Sequence, residues 1–555
     1  MFESDKCATG VERGLQYADR LDGKIILPFC PESELSGVGE KDFMLSVWYK
    51  RVLGFDKSAL LGKRVIFHIG AADYETEVYL NGVSVGDKHV GGYSPIEYDI
   101  TDFIKDGDNI VTVRCYDDIR SRRQASGKQS PEFYSHNCVY TRTTGIWQTV
   151  WYEIVPESYI KYARITPDAK NSSVSVSAEL VGSGDLTVTV SYEGRVVGQA
   201  KKRSLSVTGD IEVSLSECHL WDIGEGRLYD VTLEFGEDKA YSYFGLRHIE
   251  MREGKFYLNG RSVFQRLVLD QGYYHDGITT APTEEALIKD IECALSAGFN
   301  GARLHQKVFE PLFLYHADRL GYLVWGEYGS WGIDFADISC LPEFLSGWVE
   351  CVRRDVNHPS VIGWCPFNET FDYKPMARQQ DNRLIRTVYE VTKRLDPSRP
   401  CIDTSGYVHV VTDIFDVHNY GQDPEKFRAD YEKLTTENKL VCRYNNVQTW
   451  RGEPVFVSEY GGIGLDLSGE REGEGDKKKA WSYGSAPRSY EEFYARLEGL
   501  TDALLDNPRI FAFCYTQLTD IEQEVNGLFR YETREPKFDM KIIKEIMTKK
   551  AAVET

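Results

Sequence analysis

The segment VIGWCPFNETFDY, residues 361–373, joins a strand-like apolar run to a polar end. Its first part is rich in Val, Ile, Trp and Phe and predicts a buried strand. That strand ends at Asn368 and Glu369, two polar side chains that a buried strand does not need. Because an unpaired buried carboxylate is costly, an acid in this place is paired, protonated or chemically active. Which of these holds depends on the fold and on a second carboxylate nearby.

Helical patterns and short apolar runs alternate over roughly 300 residues around this segment. The helical patterns are TEEALIKDIECALSAG, EPLFLYHADRLG, EFLSGWVECVRRDVNHP and RLIRTVYEVTKRLDPSRP, and the strand-like runs are GARLH, YLVWGEY, VIGWCPFNE, CIDTS, IFDVHNY, PVFVSEYGG and IFAFCYTQ. This alternation predicts a (β/α)8 TIM barrel over residues 248–555, with VIGWCPFNE as its fourth strand. In such a barrel the chemistry lies at the C-terminal ends of the strands.

The residues before the barrel predict two β domains. Short runs rich in Val, Ile, Tyr and Trp, separated by turns such as Asn81-Gly82, indicate a jelly-roll sandwich over residues 1–155. Alternating runs such as SVSVSAELV and DLTVTVSYEG indicate an immunoglobulin-like β-sandwich over residues 156–247.

Composition excludes several classes of protein. The formal net charge of −21 argues against nucleic-acid binding, and no run of 18 apolar residues predicts a membrane span. The twelve cysteines are scattered without a CxxC pair, and the N-terminus lacks the pattern of a signal peptide. We therefore expect a cytoplasmic protein in a reducing environment.

Four predicted strand ends carry polar residues. They are Arg303 and His305; Asn368 and Glu369; His418, Asn419 and Tyr420; and Ser458, Glu459 and Tyr460. In a barrel, Glu369 and Glu459 would face each other across the mouth. Two such carboxyl groups suit retaining glycoside cleavage, in which one acts as acid/base and the other as nucleophile. Arg303 near Glu459 would keep that residue ionised, and apolar neighbours of Glu369 would favour its protonated form.

In order and spacing, several motifs resemble those of glycoside hydrolase family 2. They are WYKR, GAADYETEVYLNGVSVGDKHVGGYSPIEYDIT, TTGIWQTVWYE, YLNGRSVFQR, GFNGARLH, FNE, FVSEYGG and YTQLTDIEQEVNGLF. The resemblance covers nearly the whole chain and implies a sugar-binding jelly roll, an immunoglobulin-like domain and a catalytic barrel. It implies that Glu369 is the acid/base and Glu459 the nucleophile, that Asn368 binds the sugar 2-hydroxyl, and that Tyr420 lies against the nucleophile.

Other predicted substrate-binding residues have structural alternatives. His305 and His418 could contact sugar or could be packed barrel histidines. Asp270 follows the first barrel strand, where the family places a sugar-binding acid, but it could be a turn residue. Trp331 and Gln517 lie at predicted strand ends and could belong to the core.

The chain departs from the family pattern in three places. The usual opening strand of the first sandwich is not recognisable before ILPFCPESELSG, so either residues 1–24 replace it or the chain starts late. The Asn-x-Lys with which β-glucuronidases hold the uronate carboxylate is replaced by Asn526-Gly527-Leu528. The sequence ends soon after the barrel, without the additional C-terminal domains of large β-galactosidases.

Two loops could adjust the substrate choice. The segment GLDLSGEREGEGDKKKAWSYGSAP could be plain surface or a lid whose Trp481 and Tyr483 contact the aglycone. The segment RSRRQASGKQ could be solvated, or could bring Lys128 or one of its arginines (Arg120, Arg122, Arg123) to an acidic sugar.

These observations predict an exo-acting retaining β-glycosidase, with β-galactosidase as the first choice. A β-uronidase (galacturonides or glucuronides) and an arabinosidase are the alternatives, and a catalytically inactive carbohydrate-binding protein is the rival from another class. The chemistry requires no cofactor, no ligand cluster specific for a metal is recognisable, and we expect a homo-oligomer.

Overall fold

The computed structural model describes residues 1–204, 207–371, 379–467 and 480–554. It contains two β-sandwiches followed by a barrel of parallel strands and helices, which confirms the predicted fold class. In the described part of the chain, no helix combines the length and the apolar character needed to cross a bilayer.

The first sandwich contains three sheets. The largest has the strand order β1-β2-β9-β5-β6, with β7 beside β5; the others are β11-β3-β8 and the short pair β10-β4. Its core is formed by inward-facing aliphatic and aromatic residues such as Val47, Val65 and Phe67. Strand β1, which lies within residues 1–24, pairs antiparallel with β2 and forms an edge of the sheet in place of the usual opening strand. The strands are β1 (Phe2–Asp5), β2 (Ser46–Phe55), β3 (Lys63–Ile69), β4 (Ala72–Asp73), β5 (Glu75–Leu80), β6 (Val83–Ser84), β7 (His89–Val90), β8 (Ile96–Asp99), β9 (Gly107–Tyr116), β10 (Gly145–Ile146) and β11 (Val150–Pro156).

The second sandwich consists of the sheets β12-β13-β16 and β15-β14-β17-β18. Along its strands buried and exposed residues alternate, as a half-buried antiparallel sheet requires. Its strands are β12 (Tyr159–Asp168), β13 (Ser173–Val181), β14 (Gly184–Tyr192), β15 (Arg195–Ser204), β16 (Thr208–Ser214), β17 (Tyr229–Phe235) and β18 (Asp238–Phe244).

A small antiparallel sheet of β19 (Ile249–Arg252), β20 (Lys255–Leu258) and β21 (Arg261–Ser262) leads into the barrel. Phe256 and Leu258 of β20 join the apolar cluster inside the barrel. The seven barrel strands lie in the order β25-β24-β23-β22-β28-β27-β26. They are β22 (Gln265–Asp270), β23 (Gly301–Leu304), β24 (Leu323–Glu327), β25 (Val361–Cys365), β26 (Phe415–Asn419), β27 (Val455–Gly461) and β28 (Ile510–Thr516).

The segment 401–405 occupies the remaining strand position, between β25 and β26. Its backbone runs parallel to β25, with hydrogen bonds such as Ile402 N to Trp364 O (2.9 Å) and Ser405 N to Phe367 O (2.9 Å). The predicted strand CIDTS is therefore present as an irregular strand, and β25 is the fourth barrel strand as predicted.

The helices around the barrel begin at clear sequence signals. The hydroxyl of Thr283 accepts a hydrogen bond from the first turn of α1, and the hydroxyl of Ser489 does the same for α6. Helix α2 starts with Pro311 and ends at Gly321 in the left-handed conformation. The helices are α1 (Glu284–Ser296), α2 (Pro311–Leu320), α3 (Leu341–Asp355), α4 (Asn382–Leu395), α5 (Pro424–Thr436), α6 (Tyr490–Leu505) and α7 (Met540–Met547).

Candidate active site

Glu459 reaches the barrel interior because β27 contains a bulge. Phe456 packs inside the barrel and Val457 packs towards the helices, so regular alternation would turn Glu459 outwards. The register with β26 shifts by one residue after Val457, which leaves Ser458 as the extra residue. As a result Ser458 and Glu459 both face inwards, and Tyr460 faces α6, where its hydroxyl lies 2.9 Å from Thr501 Oγ1.

The Glu459 carboxylate is buried among hydrogen-bond donors. Arg303 donates to Oε1 at 2.9 Å and the Tyr420 hydroxyl donates to Oε2 at 2.5 Å, while His418 Nε2 lies 3.4 Å from Oε1. Burial alone would raise the pKa of this carboxyl. Its neighbours outweigh that effect, His418 and Arg303 most strongly, and lower the pKa to about 2. Glu459 is therefore ionised at neutral pH.

Glu369 follows β25 in a left-handed backbone conformation, with φ +48°. Its backbone N–H donates to Ser405 O at 3.0 Å, which fixes this conformation. Such a conformation costs a residue with a Cβ on the order of 1–3 kcal/mol and persists only where the surrounding structure holds it. The Glu369 side chain is 19% exposed, against 5% for Glu459, so it is the carboxyl that solvent can reach.

The two carboxyl groups are close together. One oxygen of Glu369, one oxygen of Glu459 and one ring nitrogen of His418 all lie within 4.8 Å of one another. Retaining glycosidases hold their two carboxyl groups about 5–5.5 Å apart, whereas inverting ones leave about 6.5–9.5 Å for a water. The same three side chains could ligate a metal ion, but the adjacent guanidinium of Arg303 opposes a second cation there.

Arg303 organises the floor of the site. Its guanidinium is buried and donates to Glu327 Oε2 (2.6 Å), Asn368 Oδ1 (2.7 Å) and Glu459 Oε1 (2.9 Å). Glu327 ends β24, and the sequence carried the signal for it, an acid at the end of the buried run YLVWGEY, which the prediction missed. Because Arg303 binds the side-chain oxygen of Asn368, the side-chain N–H groups of Asn368 remain for a ligand.

His418 connects the two glutamates. Its Nδ1 lies 2.7 Å from Glu369 Oε1, and its Nε2 lies 3.0 Å from Ser405 Oγ. Burial lowers the pKa of His418, but Glu459 and Glu369 outweigh it and the pKa is raised. Behind it, Asp416 accepts a hydrogen bond from Ser405 Oγ at 2.5 Å. No pattern in the sequence pointed to Ser405 and Asp416 as a supporting pair.

The structure places His305 and Trp331 beside this cluster. His305 Nδ1 lies 3.9 Å from Glu459 Oε1, and burial, followed by Lys128, holds the pKa of His305 well below its usual range. The Trp331 indole N–H donates to Asn368 O at 3.0 Å.

Gln517 lies in a buried network of side-chain amides and hydroxyls. Its amide donates to Asn526 Oδ1 at 2.8 Å, and Gln271 donates to its carbonyl oxygen. Gln271 also donates to the Tyr140 hydroxyl at 2.8 Å, which in turn donates to Glu524 Oε2 at 2.5 Å. The sequence did not single out Gln271, Tyr140 or Glu524.

Asp270 is not brought to the two glutamates. In β22, Leu267 and Leu269 face the barrel interior and Val268 faces the helices, so Asp270 also lies on the helix side. Its carboxyl accepts from Gly272 N at 3.0 Å, and burial together with Asp290 raises its pKa to about 7. The geometry gives no support to its predicted role in sugar binding and fits the alternative of a turn residue.

Two segments outside the strands reach the mouth. From the loop after β27, Tyr483 stacks face to face on Tyr420, with ring centroids 3.4 Å apart, and Trp481 meets Tyr483 edge-on at 4.7 Å. The middle of that loop, residues 468–479, lies outside the described residues, so the predicted lid stays a prediction.

One positively charged side chain of the basic loop in the first sandwich, RSRRQASGKQ, lies at the site. Lys128 is buried, with its ammonium 4.2 Å from the centre of the Trp331 ring. Arg120 lies over Phe43, Arg123 pairs with Glu343 of α3 at 3.0 Å, and Arg122 is exposed. Of these four basic residues, Lys128 is the one that lies beside Trp331 and the two glutamates.

Each of the three domains matches a model of a known protein family. The family models described as Glycosyl hydrolases family 2, sugar binding domain; Glycosyl hydrolases family 2; and Glycosyl hydrolases family 2, TIM barrel domain match residues 40–147, 158–247 and 249–550, respectively. The β-galactosidase of Thermoanaerobacter pseudethanolicus is 26% identical over 76% of this chain, which spans about half (55%) of that relative. The β-glucuronidase of Streptococcus agalactiae is 23% identical over 79% of this chain and 78% of its own length.

Solved structures share the fold. A β-glucuronidase from an uncultured Clostridium species superposes with a TM-score of 0.77 at 20% identity, over 98% of this chain and 96% of that one. The barrel model alone covers more than half of the sequence, and the three models follow one another in the order of the three domains. The chain belongs to glycoside hydrolase family 2.

Proposed function

We propose that this protein is an exo-acting retaining β-glycosidase that hydrolyses terminal β-linked sugars by double displacement. The observation that supports this most directly is the approach of the Glu369 and Glu459 oxygens to within 4.8 Å. Glu459 is buried and ionised, as a nucleophile requires, and Glu369 is the carboxyl that solvent reaches.

In the first step, the Glu459 carboxylate attacks the anomeric carbon while Glu369 donates its proton to the departing glycosidic oxygen. The C–O bond to the aglycone breaks and a glycosyl ester of Glu459 forms. In the second step, Glu369 takes a proton from water, the water oxygen attacks the anomeric carbon, and Glu459 leaves as a carboxylate. The configuration at the anomeric carbon is retained.

Neighbouring groups support both steps. Arg303 and Tyr420 each hold one oxygen of the Glu459 carboxylate by a hydrogen bond. The amide of Asn368, oriented by Arg303 and by the Trp331 indole, fits a hydrogen bond to the sugar 2-hydroxyl. Such a bond strengthens in the transition state of glycoside cleavage.

The surroundings of the site favour cleavage at a chain end. Lys128, Trp331 and Tyr483 come from separate segments and all lie close to the two glutamates. Side chains gathered around the glutamates in this way suit one terminal sugar better than the interior of a polysaccharide.

The reaction is tested by Glu459→Gly with sodium azide. The variant alone should be inactive on a nitrophenyl glycoside, and azide should restore turnover with a glycosyl azide of inverted configuration as product. An unchanged rate in Glu459→Gln would overturn the assignment. Wild-type protein that cleaved no glycoside would instead favour an inactive carbohydrate-binding protein.

The sugar is the finer question. Relatives are named as β-galactosidases and as β-glucuronidases, and the sequence alone favoured a β-galactoside. A panel of nitrophenyl galactoside, glucuronide, galacturonide, arabinoside, fucoside and mannoside separates the candidates. A cytoplasmic location and a homo-oligomeric state remain predictions from the sequence.

A further inference from the structure

Lys128 is held in place by backbone contacts between the first sandwich and the barrel. Ser126 N donates to Trp331 O at 2.7 Å, and Gly127 N donates to Gly329 O at 2.9 Å. Gly127 has φ +62°, and a Cβ there would lie 2.2 Å from Gln306 O, so this close approach requires glycine. The loop therefore delivers the Lys128 side chain to a fixed position.

Within the described part of the chain, the Lys128 ammonium has no counter-ion in direct contact. The residue is 6% exposed, and among the described residues no side chain or carbonyl forms a hydrogen bond or ion pair with Nζ. Its nearest described contact is the face of Trp331. By contrast, the equally buried Lys307 donates to two carbonyl oxygens, those of Gly272 and Thr279, at 2.7 and 2.6 Å.

Nearby acids are already engaged. The two oxygens of Glu524 accept from the Tyr140 hydroxyl and the Asn526 amide, and those of Glu459 accept from Arg303 and Tyr420. Burial disfavours the charged form of Lys128, yet Cys138, Glu524 and Glu459 outweigh it and raise its pKa. The described residues thus leave a buried positive charge near the glutamates without a hydrogen-bond acceptor, and buried charges are stabilised when they are paired.

We infer that Lys128 binds the carboxylate of an acidic sugar, so that the substrate is a β-uronide. This inference rests on the proposed function. The ammonium lies over Trp331, whose indole donates to the backbone oxygen of Asn368. Because the Asn368 amide is proposed to bind the sugar 2-hydroxyl, this places the ammonium near the sugar. A uronate carboxylate supplies both the negative charge and the acceptor oxygens that Nζ lacks. A neutral hexoside would leave the charge uncompensated.

The test compares wild-type protein with Lys128→Met on three probes: 4-nitrophenyl β-D-glucuronide, β-D-galacturonide and β-D-galactoside. Methionine keeps the length and packing of the side chain on Trp331 and removes its charge. We expect the ratio of kcat/KM for the better uronide to kcat/KM for the galactoside to fall at least about 30-fold, as for loss of one partner of a buried charge pair. The two uronides decide which configuration at C4 is accepted.

Arg122→Met is the matched control, because it removes a positive charge from the same loop at an exposed position. It should leave the ratio within about twofold of wild type. Lys128→Arg should recover part of the ratio, since it restores the charge with another geometry.

The inference is overturned if Lys128→Met changes all three substrates by the same factor, or if wild-type protein prefers the galactoside. In either case, rescue of Glu459→Gly by azide on the preferred substrate would show that the proposed reaction still stands. If wild-type protein cleaved none of the three probes or the other members of the glycoside panel, the proposed function would fail together with the inference.

Discussion

Replacing Tyr420 by Phe isolates one contribution to the ionisation of the nucleophile. The substitution removes a single hydroxyl, which donates to Glu459 Oε2 at 2.5 Å, and leaves the ring that stacks on Tyr483. Arg303 remains on the other carboxylate oxygen. The change therefore acts on the charge of Glu459 with little effect on packing.

The expected size follows from the strength of this hydrogen bond. A hydrogen bond to a charged group contributes about 1.5–3 kcal/mol, and about 1.4 kcal/mol corresponds to one pKa unit. Since the lost donor stabilised the ionised form, the pKa of Glu459 should rise. We expect it to move from about 2 to between about 3 and 4.

The measurement is the acid limb of kcat/KM against pH, which reports essential groups of the free enzyme. Brief pH-jump assays avoid acid unfolding. Tyr460→Phe is the matched control, because it removes a hydroxyl next to Glu459 that faces Thr501 instead. An apparent pKa of the acid limb in Tyr420→Phe within about 0.3 pH units of the value in this control would contradict the expected effect on Glu459.

Three further changes test separate parts of the account. Glu369→Gln should lower kcat/KM by roughly 10²–10⁴-fold on a glycoside with a poor leaving group and far less on a dinitrophenyl glycoside; equal losses on both would argue against an acid role. Gly127→Ala should lower the Tm more than Gly107→Ala, because both have positive φ but only the first would push a Cβ against Gln306 O; scanning calorimetry that ranked them the other way would contradict the docking of the loop. Burial raises the pKa of Glu32 to about 7, so its stabilising contribution is lost as the pH rises from about 4.5 to 7. In urea unfolding, the free energy of unfolding of Glu32→Gln relative to wild type should therefore increase between pH 5 and pH 8, by up to about 3 kcal/mol. If this difference between variant and wild type were the same at both pH values, the Glu32 carboxyl would not titrate in that range.

Much of the fold was predictable because the barrel strands are apolar on both faces and the helices between them are amphipathic. The same contrast made Glu369, Arg303 and His418 visible, as polar residues at the ends of buried strands. Glu327, a polar residue at the end of the buried strand β24, was predictable for the same reason.

Other features depend on geometry that one sequence does not express. Alternation along β27 would have turned Glu459 towards the helices, and only the bulge at Ser458 aims it into the barrel. Asp270 looked equivalent to the other strand-end acids, but the register of β22 turns it away. Lys128 is separated from the barrel by more than 100 residues, and its position depends on the docking of two domains.

The central claim is that Glu459 forms a covalent bond with the sugar. Wild-type protein incubated with the 2-deoxy-2-fluoro glycosyl fluoride of its preferred sugar should gain the mass of one fluorosugar, because fluorine slows hydrolysis of the glycosyl ester. Peptide mapping by tandem mass spectrometry should place this mass on Glu459. An adduct on Glu369 or another residue, or turnover with no covalent species detected, would contradict the account.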